Sequence, residues 1–183
     1  FDVTAADAAR VIQTNILGTY YGSRVALGYM LIHGGGRLIN LSGRGARGPS
    51  PFQNAYAPSK AWVANFTRGL AREYAGRGVD VVLFSPGMVL TDLLTDIRVV
   101  GRDLEARFKR FPRVLRMLAR PPEIPAEMAV EVAAAGRNGH SYDYLGRRRI
   151  LGSTAAELWR GLRGSGPPPP SITLHVADPE PED

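Results

Sequence analysis

Tyr56 and Lys60, in the segment Tyr56-Ala-Pro-Ser-Lys60, are the residues of this chain whose types and spacing best suit proton transfer. Four positions apart on a helix, a phenol and an ammonium share one face, one turn from each other. A free tyrosine titrates near pH ~10 and exchanges protons poorly at neutral pH. A nearby cation favours the phenolate and draws that value toward the range useful for general acid–base catalysis. In most proteins the same spacing marks only a packed tyrosine beside a solvated lysine. One detail favours chemistry here: of the 23 basic residues, only Lys60 and Lys109 are lysines.

Three other places could join this pair. Ser42 stands fourteen residues before Tyr56, at the end of an apolar run, where a hydroxyl would point into the crevice at which parallel sheets bind ligands. Asn15 lies in Thr14-Asn15-Ile-Leu-Gly18, within a long helical pattern. Pro86-Gly87-Met-Val89-Leu-Thr91 follows the next apolar run and could offer backbone amides and a hydroxyl to a ligand.

The elements that must position these residues are legible in the apolar periodicity. A long helix is predicted from Thr4, with Thr4-Ala-Ala-Asp7 as a weak capping box, to about Ile32, stopped by Gly34-Gly35-Gly36. A buried strand over Arg37–Ser42 follows, then a Gly/Pro-rich loop to about Gln53. A second helix runs to about Ala75, with Trp62, Val63, Phe66, Leu70 and Tyr74 as its stripe, and Gly76 and Gly78 close it. Val79–Phe84 is the second strand. Helix and strand alternating at these lengths imply right-handed crossovers: an α/β fold, a partial Rossmann-like, doubly wound parallel sheet with flanking helices. Beyond Thr91 the pattern predicts a helix over 103–119 kinked or split at Pro112, a helix over 126–135, and a short helix over 154–163 capped by Ser153. Residues 1–150 are thus expected to form the domain and 151–163 a short helix. The Pro-rich segment 164–183 is expected to be a disordered tail.

Gly43-Arg-Gly45-Ala-Arg-Gly48 spells the dinucleotide fingerprint G-x-G-x-x-G directly after a strand. Pro49-Ser50-Pro51 interrupts the turn where a helix should open under the third glycine. The next strand ends at Ser85-Pro86-Gly87, without the acidic residue that would hold ribose hydroxyls. The segment is read as a loop and not as a phosphate cradle.

Taken together, N-x-x-G at Asn15–Gly18, a serine after the next strand, Y-x-x-x-K at Tyr56–Lys60 and P-G-x-x-x-T at Pro86–Thr91 resemble the short-chain dehydrogenase/reductase family. Order, spacing and helix–strand context fit over roughly residues 5–95. The resemblance implies an NAD- or NADP-dependent oxidoreductase that exchanges a hydride with a small alcohol or carbonyl substrate. It implies Tyr56 as acid–base, Lys60 on the ribose hydroxyls, Ser42 on the substrate oxygen, and Asn15 positioning a water that links Lys60 to solvent. Pro86, Gly87, Val89 and Thr91 would seat the nicotinamide carboxamide. It also implies homo-oligomers built through the two long helices, with Trp62 and Phe66 available for that contact; an ordinary core role for both is the alternative.

The match departs from the family in two respects. Where many members close the strand with two serines, this chain has Ser42-Gly43; Ser42 is preferred for the catalytic role, with Gly43 as the alternative position. The family's N-terminal Gly-rich turn has no counterpart, so the chain is expected to be the C-terminal, catalytic portion of a longer enzyme. The competing reading is an inactive fragment that serves only as an interaction partner. Arg102, Arg107, Arg110 and Arg113 could suit an anionic substrate or form a solvated face, which is preferred.

Composition narrows the remaining classes. With no cysteine, disulfides and thiolate chemistry are excluded, and His33, His140 and His175 sit at no ligand spacing, so no metal site is expected. The net charge of +6 raises nucleic acid as a partner, but neither an aromatic-interleaved basic patch nor a helix-turn-helix accompanies it. No apolar run reaches the ~18 residues of a membrane span, and no signal pattern opens the chain; the expected compartment is the cytoplasm.

Overall fold

The computed structural model describes residues 3–101, 108–163 and 167–177. Contacts divide the chain into two units, Val3–Pro86 with Glu127–Asp143, and Gly87–Ala126 with Tyr144–Asp183. The single domain expected over 1–150 is therefore shared between them.

In the first unit, α1 (Ala5–Ile12) continues through a π-helical turn, Gln13–Leu17, into α2 (Gly18–Ile32). Thr4 caps it as expected, its hydroxyl accepting from the Asp7 amide at 3.0 Å. β1 (Gly36–Leu41), α3 (Tyr56–Glu73) and β2 (Val79–Ser85) follow within a few residues of their predicted bounds. Gly35 makes the turn into β1 because the chain passes so close to the Gly78 carbonyl that a β-carbon would lie 2.2 Å from it.

β1 and β2 pair in parallel, Leu38 opposite Val81 and Asn40 opposite Leu83. The short β4 (Ser141–Asp143) adds to the other edge of β2, giving the order β1-β2-β4. Strand alternation sorts the core into two layers. Leu38 and Val81 pack with Leu27 of α2 and with Leu70 and Ala71 of α3. Val82 and Phe84 point the other way and pack with Val132, Met128 and Ala129, which lie on a later helix. Helices thus cover both faces of a parallel sheet, as the α/β reading requires. Between the sheet and the first helical layer, Ser23 donates to Asn40 Oδ1 (3.3 Å) and Asn40 Nδ2 donates to Thr67 Oγ1 (3.1 Å), so all three buried polar groups are satisfied.

In the second unit, α4 (Asp92–Thr95) leads into β3 (Asp96–Val100), and α5 spans Phe111–Leu118. A turn at Lys109–Arg110 separates α5 from the helical residue Phe108, so the pattern is split at Pro112, one of the two outcomes expected. Pro112 sits in the first turn of α5, which has amides to spare. Leu104, Arg102 and Arg107 lie outside the described residues. α6 (Glu123–Ala135), the helix that carries Met128, Ala129 and Val132, begins in this unit and ends in the first. α7 spans Arg147–Arg163 and starts on bonds from the Arg149 and Ile150 amides to the Gly146 carbonyl. Ser153 is therefore inside the helix and caps nothing. The expected structureless tail contains β5 (Thr173–Ala177), which pairs in parallel with all of β3. No helix among the described residues is long and apolar enough to cross a membrane.

Candidate active site

Tyr56 is the first residue of α3 and Lys60 follows one turn later, so the helix start fixes both. They face the same way: Lys60 Nζ lies 5.8 Å from the centroid of the Tyr56 ring. The Lys60 ammonium donates to the Leu41 carbonyl at the end of β1, at 3.3 Å. Tyr56 approaches the same strand end, where a β-carbon at Gly43 would fall 2.8 Å from the phenol oxygen. The pair therefore converges on the C-terminal edge of the parallel sheet, where α/β proteins hold their ligands.

The electrostatics differ from the sequence expectation. Burial raises the Tyr56 phenol above its ordinary value of 10.0, since phenolate is the form that loses hydration. Burial also lowers Lys60 below 10.5, penalising the ammonium. The direction at the phenol is therefore opposite to the cation-driven depression expected, and its cause is the burial of the phenol itself. The site holds its two groups in their uncharged forms more readily than water does.

Asn15 falls inside the π-helical turn, and its amide nitrogen donates to Ser59 Oγ at 2.9 Å. Ser59, 1% exposed, in turn donates to the Tyr56 carbonyl at 2.7 Å. Sequence reading missed Ser59. Its signal was present, since a serine three residues after the helix start can return a bond to that first carbonyl. Asn15, Ser59 and Tyr56 thus form one chain of bonds between the first long helix and the start of α3. The Asn15 carbonyl accepts from Thr19 Oγ1 at 2.7 Å.

Ser42 prolongs the ladder of β1, its amide donating to the Phe84 carbonyl at 2.7 Å. Among the described residues no hydrogen bond joins the Ser42 hydroxyl to Tyr56 or Lys60. The loop beyond, Gly43–Gly48, makes two successive turns closed by Ala46 N to Gly43 O and Gly48 N to Gly45 O. Gly45, at φ 96°, is pressed so close to α3 that a β-carbon would lie 2.4 Å from Ala57 Cα. Of the glycines in the apparent fingerprint, Gly43 and Gly45 lie against α3, whereas a β-carbon at Gly48 would meet nothing within 4 Å.

Pro86 ends the first unit's strand region, whereas Gly87, Val89 and Thr91 belong to the second unit. Gly87 takes φ 78°, and its bare α-carbon admits the Leu145 side chain. Val89 bridges Arg120 in parallel, and the exposed Thr91 precedes α4. Arg110 and Arg113 are exposed at the start of α5, in keeping with a solvated face.

Residues 1–99 match the family described as short chain dehydrogenase, and the chain belongs to it. Carbonyl reductase family member 4 of Danio rerio is 35% identical over 123 residues, 67% of this chain and 48% of that protein. The 2-dehydro-3-deoxy-L-rhamnonate dehydrogenase (NAD(+)) of Sphingomonas sp. (strain SKA58) is 35% identical over 88 residues, 48% of this chain and 35% of that protein. Among solved structures, a putative NAD(P) dependent gluconate 5-dehydrogenase from Beutenbergia cavernae with bound NADP superimposes with a TM-score of 0.61 at 25% identity, covering 78% of this chain and 57% of that one. The chain spans about a third to a half of the length of the curated relatives it matches.

Proposed function

We propose that this chain carries the proton-transfer site of an NAD- or NADP-dependent oxidoreductase acting on a small alcohol or carbonyl compound. The observation that carries the reading is the convergence of the Tyr56 hydroxyl and the Lys60 side chain on one strand end of a parallel sheet. Membership of the short-chain dehydrogenase family supports it, as do relatives named for carbonyl reduction and for NAD(+)-dependent dehydrogenation.

A bound nicotinamide would supply or accept the hydride. The residues present suit it, because the Leu41 carbonyl engages only one of the three N–H groups of the Lys60 ammonium, leaving donors for a ribose diol. In carbonyl reduction the Tyr56 phenol donates its proton to the substrate oxygen as negative charge develops there; in alcohol oxidation it takes the proton back. A phenol kept protonated by burial is set for the first direction at neutral pH. Lys60 replenishes the phenol's proton, and Asn15 holds the start of α3 through Ser59 and would order a water toward Lys60. Ser42 and the segment Pro86, Gly87, Val89 and Thr91 are assigned to substrate and nicotinamide contacts on the family pattern.

Tyr56→Phe tests the reading. Turnover of NADH or NADPH against a panel of ketones and aldehydes should fall by roughly 10²–10⁴-fold, with the circular dichroism spectrum unchanged. Undiminished turnover in a folded variant rules the mechanism out.

A further inference from the structure

Two glycines of the loop after β1 lie against α3, and they differ in what keeps a side chain out. Gly45 has φ 96°, a conformation that disfavours any L side chain whatever the space around it. Gly43 is absent from the positive-φ glycines, so its backbone would accept alanine or serine. What stands in the way at Gly43 is the acid–base pair. A β-carbon there would lie 2.8 Å from the Tyr56 hydroxyl oxygen, 3.2 Å from Lys60 Cγ and 3.4 Å from Lys60 Cδ. The phenol oxygen is the far end of a side chain, so a methyl group at position 43 would be accommodated by displacing it, while the backbone at the start of α3 stays held by the Ser59 bond to the Tyr56 carbonyl and by Asn15.

We propose that Gly43 is a positioning residue whose bare α-carbon admits the Tyr56 hydroxyl to the end of β1, so that Gly43, and not Ser42, borders the oxygen that exchanges protons. The inference rests on the acid–base role given to Tyr56 above. It adds that the phenol works at this strand end without a side-chain hydroxyl beside it: Gly43 has none, and the Ser42 hydroxyl bonds neither member of the pair.

A double-mutant cycle on the whole chain tests this without any turnover assay. Gly43→Ala should lower Tm by about 2–4 °C when Tyr56 is present. In the Tyr56→Phe background most of that loss should vanish, because the oxygen that the new β-carbon meets is gone. Tyrosine ring-carbon NMR, with the Tyr56→Phe spectrum to assign the Tyr56 signal, supplies a readout beyond stability. Gly43→Ala should push the phenol toward solvent and bring its titration down toward 10, whereas Ser42→Ala should leave it in place. Equal Tm losses in both backgrounds overturn the proposal, as does unfolding of Gly43→Ala with either residue at 56. So does a Tyr56 signal that moves as far in Ser42→Ala as in Gly43→Ala. A cycle that couples while Tyr56→Phe leaves turnover intact would uphold the geometry and sink only the catalytic role.

Discussion

The unit that holds Tyr56 and Lys60 is closed by apolar side chains on both faces of its sheet, whereas the unit that begins at Gly87 buries fewer, Leu115 and Val99 among them, and adds charged contacts between its elements. In the first, Val63, Val81 and Val82 are fully buried, and Phe84 is 2% exposed. In the second, Arg116 of α5 pairs with Glu157 of α7, Arg160 joins the same carboxylate at 3.1 Å, and His175 of β5 meets Asp96 of β3 at 2.7 Å. The Glu157 carboxyl is held below the usual carboxylate range, first by its hydrogen bond from Arg116. The contrast places most of the buried apolar packing in the unit of Tyr56 and Lys60, where salt does not screen it.

The sharpest way to break that contrast is to remove packing beneath the site. Phe84→Ala should cost about 3–5 kcal/mol, the range for emptying a buried phenylalanine position, and calorimetry should record it as a large fall in Tm. A loss under ~1 kcal/mol would mean that the layer of Phe84, Val82 and Val132 does not govern stability.

A second, smaller effect comes from pH. The folded state raises the Tyr56 pKa, so it binds the phenolic proton more tightly than the unfolded chain does. The linked stability is complete below pH 10 and is lost as pH climbs through the folded-state value. Lys60, lowered from 10.5, works in the opposite sense: its contribution is present above that value and lost as pH falls through its depressed one. Tm followed from pH 8 to 11 should therefore drop less steeply above pH 10 in Tyr56→Phe than in the unaltered chain. Parallel curves would show that the phenol is not held in a desolvated place.

The smallest effect is expected in the charged unit. Asp96→Asn alters a contact to His175, ionic only with the imidazole protonated, whose partners are 61% and 56% exposed, so it should cost about 0–1 kcal/mol. A loss as large as that of Phe84→Ala would erase the difference between the two regions.

The same contrast explains what could be read from the residues. β1 and β2 declared themselves because Leu38-Ile-Asn-Leu41 and Val79–Phe84 are near-continuous apolar runs; β2 is buried over most of its length, while β1 buries Leu38 and Asn40 and leaves Leu41 exposed. Tyr56, Lys60 and Asn15 were found because a helix start and a helical repeat fix their spacing. β3 and β5 escaped notice. Asp96-Ile-Arg-Val-Val100 alternates with charge, Thr173–Ala177 lies between prolines and an acidic end, and their pairing is a long-range contact that no local pattern encodes. α7 was shortened because Gly152 and Ser153 look like a boundary, although the helix runs through both. At the site itself, Ser59 and Gly43 were underrated for one reason: their importance lies in which atoms they touch across the fold, not in any motif letter.

The widened turn Gln13–Leu17 has a consequence for which changes this family member can tolerate. Each residue of an α-helix advances the azimuth by about 100°. Removing a single residue from that turn to regularise it would rotate everything upstream by roughly that angle relative to α2. Asn15 could not then reach Ser59 while Leu27 and Ser23 kept their places against the sheet. A one-residue deletion here is therefore a different kind of event from one in the loop before Tyr56. It swivels a whole helical segment out of phase with α3, so the length of this helix is set by the partner that Asn15 must meet.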